Sequence, residues 1–134
     1  MVDANAPSLS ILLISGSRDR ALAALNLAAA ALALGRPASL FLTWEAMGRF
    51  AAGTLDAAPL PAGVPAAAAA ALAGQPPIAE SLQGLRRQGL KLYACSATIQ
   101  MMGLDAQALA ERVDGIAGAA SFLAEATAGQ LLSL

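Results

Sequence analysis

Histidine is absent from all 134 residues. That excludes any His-dependent catalytic triad, imidazole metal site or imidazole proton shuttle. Cysteine occurs once, so neither an internal disulfide nor a CxxC pair can form, and the chain fits a reducing compartment. Charged residues make up 13% of the chain, roughly half the usual share for a soluble domain. With a net charge of -1 and 4% aromatics, there is no basic footprint for nucleic acid. Disorder is excluded from the other side, because 57% of residues are apolar and a disordered chain needs low hydrophobicity with high net charge.

Long hydrophobic runs are also missing, despite a mean hydropathy of +0.62. The longest, Ala21 to Leu34, is interrupted by Asn26 and ended by Gly35-Arg36-Pro37, whereas a membrane span needs about 20 apolar residues. No integral membrane segment is expected. Nor is a secretory leader: Asp3 stands where a basic n-region would be, and Leu9–Ile14 is short for an h-region. The expected location is cytoplasmic. A small domain with so much apolar surface and so little charge must hide some of it between subunits, so a homo-oligomer is expected.

What is present alternates in type. Leu9–Ser15 is apolar almost throughout, as a strand covered on both faces would be. Gly16 breaks it, and Ser17 or Asp19 can cap a helix from Arg18 to Leu34 whose Leu22, Leu25 and Leu32 share one face. Gly35 and Pro37 stop that helix, and Ala38–Thr43 is the next strand. Strand, helix and strand in this order form a βαβ unit with parallel strands and a right-handed crossover. Trp44–Met47 reads as one helical turn. The stretch from Ala51 to Pro77 is a low-complexity Ala/Pro-rich insert holding a short helix at Ala66–Ala73. A helix from Ile78 to Arg87 follows, then a strand at Leu90–Ala94 with Cys95 at its end. Thr98–Gly103 and Asp105–Val113 read as short helices, Gly115–Gly118 as a small strand, Ala119–Ala128 as a helix and Gln130–Leu134 as an edge strand. The expectation is a single domain over residues 1–134, of the α/β class. It would be a three-layer α/β/α sandwich around a mainly parallel sheet of four to five strands.

Cys95 is the leading candidate for chemistry. Ligand sites of open parallel sheets lie outside the carboxyl ends of the strands, and Cys95 sits at such an end. Ser96, Ala97 and Thr98 begin a helix there, and the free N–H groups of a helix start favour thiolate, the reactive form. An equal reading makes Cys95 a small buried hydrophobe. Ser15-Gly16-Ser17-Arg18 opens a helix as anion cradles do, but without GxGxxG or a Walker Lys it reads first as ordinary capping. Thr43 and Trp44 end the second strand on the same rim as Gly16 and Cys95 and could line a shared pocket. Met101-Met102 is read as core behind the Cys-bearing turn. Arg86-Arg87 reads as a solvated helix end, and Asp105, Glu111 and Asp114 as a solvated helix face. No metal site and no cofactor are expected.

Four segments taken in order carry a resemblance. They are Ile14-Ser15-Gly16 with Asp19–Leu22, Phe41-Leu42-Thr43-Trp44, Ala94-Cys95-Ser96 with Met101–Leu104, and Gly118–Leu123. Together the chain resembles the DsrE/DsrF-like family, especially its peroxiredoxin-like branch, over nearly its whole length apart from Ala51–Pro77. The resemblance implies a three-layer fold, trimers or hexamers, and sulfur relay. In that reading Cys95 carries a persulfide between a sulfur donor and an acceptor protein, as a carrier or sulfurtransferase. Gly16, Ser17, Thr43, Trp44, Ser96, Ala97 and Thr98 would form its binding surround. The lone cysteine excludes peroxidase turnover through an internal disulfide. The competing expectations are a non-catalytic oligomeric interaction module and a small-molecule binder at the strand-end crevice, both with Cys95 structural.

Overall fold

The computed structural model describes residues 2–134. Its strands are β1 (Ser8–Leu13), β2 (Ala38–Leu42), β3 (Lys91–Cys95), β4 (Gly115–Ala117) and β5 (Gly129–Ser133). They form one sheet in the order β4-β3-β2-β1-β5, with every neighbouring pair parallel. The helices are α1 (Arg18–Ala33), α2 (Trp44–Ala52), α3 (Ala66–Ala73), α4 (Ile78–Arg87), α5 (Ser96–Met101), α6 (Ala106–Ala110) and α7 (Ala119–Ala126), with a 3-10 turn at Leu55–Ala57. The protein is therefore α/β, consistent with the expected three-layer sandwich.

The chain order explains the layers. From β1 to β4 the chain steps one way across the sheet, and right-handed crossovers place the intervening helices on one face. The return from β4 to β5 runs the other way and puts α7 on the opposite face. Side chains alternate along each strand. On the first face, Leu9, Ile11, Leu13, Leu40, Leu42, Leu92 and Ala94 pack with Met47, Phe50, Leu82 and Leu85 in one large aliphatic core. On the second, Phe41, Cys95 and Phe122 make a small separate cluster.

α1 meets the sheet differently from the expectation. Its buried stripe is mainly alanine, Ala21, Ala24, Ala28 and Ala31 with Leu25 and Leu32, while Leu22 is only partly buried. Small side chains let the helix axis approach the sheet closely, and alanine is the best helix former. α2 is longer than the single turn expected, because Met47 and Phe50 reach the core and anchor two turns. Gly53, in the left-handed conformation at φ 71°, ends it. Arg112 holds that end, donating to the Phe50 and Ala51 carbonyls at 2.6 and 3.1 Å and lying over the Phe50 ring at 4.3 Å.

At the opposite end of the strands, Arg36 donates to the carbonyl of Pro7 and to the Gln130 side chain, at 2.7 and 2.8 Å. It thereby ties the start of β1 to β5. Asp114 and Arg86 lie at the surface, as expected, but they are paired, and Asp114 stands beyond the end of α6 rather than on a helix face. The Arg86 guanidinium donates to both Asp114 carboxylate oxygens, at 3.3 and 3.1 Å, and to the Arg112 carbonyl at 2.9 Å. Asp114 also accepts the Leu92 N–H at 2.8 Å. Burial pushes the Asp114 carboxyl up, but the Arg86 and Leu92 hydrogen bonds, with the charges of Arg86 and Lys91, outweigh it and hold the group below its ordinary value.

Candidate functional site

Because the sheet is wholly parallel, the carboxyl ends of β1, β2 and β3 share one rim. Cys95 is the last residue of β3 and the N-cap of α5. It is 8% exposed. Its neighbour in β4 is Ala117. On the β2 side the last registered pair is Leu42 with Ala94, so one step further Thr43 stands beside Cys95. Over this point, the ring of Phe122 from α7 stacks on Phe41 with centroids 4.6 Å apart and planes 12° apart.

Thr43 is 7% exposed, and its hydroxyl has no hydrogen-bond partner. A buried hydroxyl without a partner costs roughly 1–3 kcal/mol. The α5 residues differ in state: Ser96 and Ala97 are exposed, while Thr98 is buried and its Oγ1 accepts the Trp44 N–H at 3.1 Å. That bond fixes the turn from β2 into α2, where Trp44 takes the left-handed φ of 44°. Such a backbone is uncommon for a bulky residue and carries a strain of about 1–3 kcal/mol. It leaves the indole half exposed at the rim.

Gly16 and Ser17 lie at the end of β1, one strand further on. The Gly16 N–H donates to the Glu45 carboxylate at 3.3 Å, and a Cβ on Gly16 would fall 2.6 Å from Glu45 Cγ. Ser17 occupies the N-cap position of α1, but its side chain makes no capping bond. Its hydroxyl pairs with that of Ser15 at 2.9 Å. A cleft of roughly 480 Å³ opens here, lined by Ile14, Ser15, Arg20, Trp44, Glu45 and Ser133 with Leu134. Cys95 does not line it. The rim thus holds two places: Cys95 with Thr43, Ser96 and Thr98 on the β2–β3 side, and Gly16 with Ser17 and Glu45 on the β1 side, with Trp44 between them.

Met101 and Met102 are not core; they are 61% and 43% exposed on the far turn of α5. Phe122 and Glu45 were missed in the sequence as parts of the rim. The alternation Lys91-Leu92-Tyr93-Ala94-Cys95 does carry a signal for Phe122, since it sends Tyr93 and Cys95 to a face that needs an aromatic cover. Among the described residues, no group of three His, Cys, Asp or Glu side chains is placed to hold a metal ion. No helix there is long and apolar enough to cross a membrane.

A parallel α/β sheet with a lone thiol at a central strand end defines the class. The chain belongs to the DsrE/DsrF/DrsH-like family, whose model matches residues 52–132, a family associated with sulfur relay. The match includes Cys95 and runs through the Ala/Pro-rich stretch. Among solved structures, the chain is similar to the protein of unknown function MTH1491 from Methanobacterium thermoautotrophicum. The likeness has a TM-score of 0.66 at 13% identity, over 96% of this chain and 100% of that one, and it concerns the fold alone. None of the curated proteins matches the sequence.

Proposed function

We propose that the protein is a thiol-based persulfide carrier or sulfurtransferase with Cys95 as the sulfur-bearing residue. The observation that carries this reading is the place of Cys95 at the carboxyl end of a central strand, one register step from the buried Thr43, whose hydroxyl has no partner. The Cys95 thiolate attacks the outer sulfur of a donor persulfide. A new S–S bond forms on Sγ, the donor's S–S bond breaks, and the donor leaves as a thiolate. An acceptor thiolate then attacks the outer sulfur and returns Cys95 to the thiolate. Sulfur moves without net redox change. The Thr43 O–H and the N–H groups of Ser96, Ala97 and Thr98 are the donors offered to the anion.

The rest of this reading is one domain with an Ala/Pro-rich insert at residues 51–77, acting in the cytoplasm as a homo-oligomer, a trimer or hexamer. Exposed Leu34, Trp44, Met101 and Leu123 support the assembly, which light scattering at micromolar protein checks; a monomer mass removes it. The deciding experiment for the site is intact-mass measurement after exposure to a persulfide donor. The expected result is a gain of one sulfur atom, reversed by reductant and absent in Cys95→Ser. Wild-type protein that stays folded and gains no sulfur overturns the carrier.

The burial of Cys95 under Phe122 favours a second reading, an interaction module or small-molecule binder in which the thiol is packing. A thiol-reactive dye separates the two. Labelling of the native protein favours the carrier, and labelling only after denaturation favours the module.

A further inference from the structure

A large cleft lies away from Cys95, between α1, α3 and α4, with a volume of about 930 Å³. That is within the range of roughly 300–1,000 Å³ usual for small-molecule sites. Three helical stripes face it. From α3 come Ala68, Ala71 and Leu72, spaced i, i+3, i+4. α4 presents Ser81, Gly84 and Leu85 at the same spacing, and α1 presents Leu22, Leu25 and Ala29. No aromatic and no basic side chain lines the cleft, and Asp19 is its one charged group.

Two features of the walls call for an occupant. α3 is eight residues of alanine and leucine, and none of them is buried. A helix that short is marginal in water and depends on packing, and the side it turns to the cleft is the apolar stripe of Ala68, Ala71 and Leu72. Gly84 sits inside α4, where glycine costs about 1 kcal/mol relative to alanine. A Cβ there would meet nothing closer than the Arg87 guanidinium at 3.7 Å. No packing demand on this chain requires the glycine, and its effect is to keep the cleft open.

We infer that this cleft binds a straight aliphatic chain whose head group is neutral or cationic. The mainly aliphatic lining, with Asn26, Gln75, Ser81 and Gln88 as its uncharged polar groups, favours a chain with a polar head, the lack of aromatic walls gives no platform for a flat ring, and Asp19 repels a carboxylate head. Binding would bury the stripe of α3. The inference is independent of the sulfur-carrier reading, and Cys95→Ser is expected to leave it unchanged.

Titration calorimetry on the full chain with 1-hexanol, 1-octanol, octylammonium and octanoate tests it. Burial of each methylene is worth about 0.8 kcal/mol, so 1-octanol should bind roughly fifteenfold more tightly than 1-hexanol. Octylammonium should bind at least as tightly as 1-octanol, and octanoate more weakly. Gly84→Leu should abolish binding while leaving Tm unchanged or raised; Ala71→Leu, on the facing wall, should weaken binding without loss of fold. Failure of 1-octanol to bind, octanoate binding more tightly than 1-octanol, or wild-type affinity in both variants overturns the proposal. So does a Gly84→Leu protein whose light-scattering mass falls below that of wild type, since the cleft would then hold a second copy.

Discussion

The two faces of the sheet are built from different chemistry. One carries Leu9, Ile11, Leu40, Leu42 and Leu92 beneath α1, α2 and α4, a thick aliphatic layer in a single cluster. The other carries Ser10, Ser39, Thr43 and Cys95 with one aromatic pair, beneath the eight residues of α7. Ser10 and Ser39 satisfy each other there at 3.3 Å, while Thr43 Oγ1 and Ser8 Oγ have no partner. Stability is concentrated on the face with more buried apolar area. The thiol and the polar groups sit on the face with the thinner cover, where local opening costs less.

This contrast can be broken by experiment. Leu92→Ala, at a side chain with no exposure on the thick face, should cost about 2–5 kcal/mol; an unchanged urea midpoint would show that the layer is not the main source of stability. Phe122→Ala on the thin face should cost about 3 kcal/mol or less, because α7 can settle onto the smaller side chain. Its sharper readout is Cys95 labelling of the native protein, expected to speed up on the order of tenfold; an unchanged rate would mean that Phe122 is not the cover.

Smaller effects come from the edges of the thin face. Asp114 is held below its ordinary value in the folded state, against its own desolvation, by the bonds from Arg86 and Leu92. Its contribution is therefore present above the unfolded carboxyl value and is lost as pH falls through the folded one. Arg86→Ala should cost up to about 1 kcal/mol at neutral pH and flatten that acid limb in a series of urea melts. Tyr93 is shifted the other way, raised from 10.0 first by desolvation and then by Glu125, whose carboxylate accepts its hydroxyl at 3.3 Å. Its contribution is present below the ordinary tyrosine value and lost as pH rises through the folded one. Tyr93→Phe should remove part of the alkaline limb, the smallest of these changes.

Elements bounded by strong punctuation were legible in the sequence. Ala66–Ala73 lies between Pro65 and Gly74 and forms the expected helix. Each strand was also readable, down to an edge strand after α7. Faces were harder to read. In α1 nearly every position is apolar, so periodicity could not separate the alanine stripe on the sheet from the leucines beside it. The two sheet faces were written in the alternation Ser8-Leu9-Ser10-Ile11, which a reading of the strand as evenly apolar passes over.

Around the site, the strand-end position of Cys95 followed from local pattern. Its surroundings did not, because they depend on pairings between distant residues. Trp44 meets Thr98, and Gly16 meets Glu45. The Ser17 hydroxyl was expected at a helix cap and is taken instead by Ser15. That is a competition between two local partners that residue type alone does not decide.

β5 pairs solely with β1, from Ser8–Gly129 to Leu12–Ser133, over more than a hundred positions of chain. On a ribosome, β1 through β4 emerge first, and the free edge of β1 waits until β5 arrives. During that interval Leu9, Ile11 and Leu13 sit beside an open row of backbone donors and acceptors, the kind of edge that recruits other chains. The helix that shields the thiol is made in the same late interval. Closing the sheet and covering Cys95 are thus a single late event in synthesis, and the nascent chain passes through a stage in which its thiol is accessible before its edge is safe.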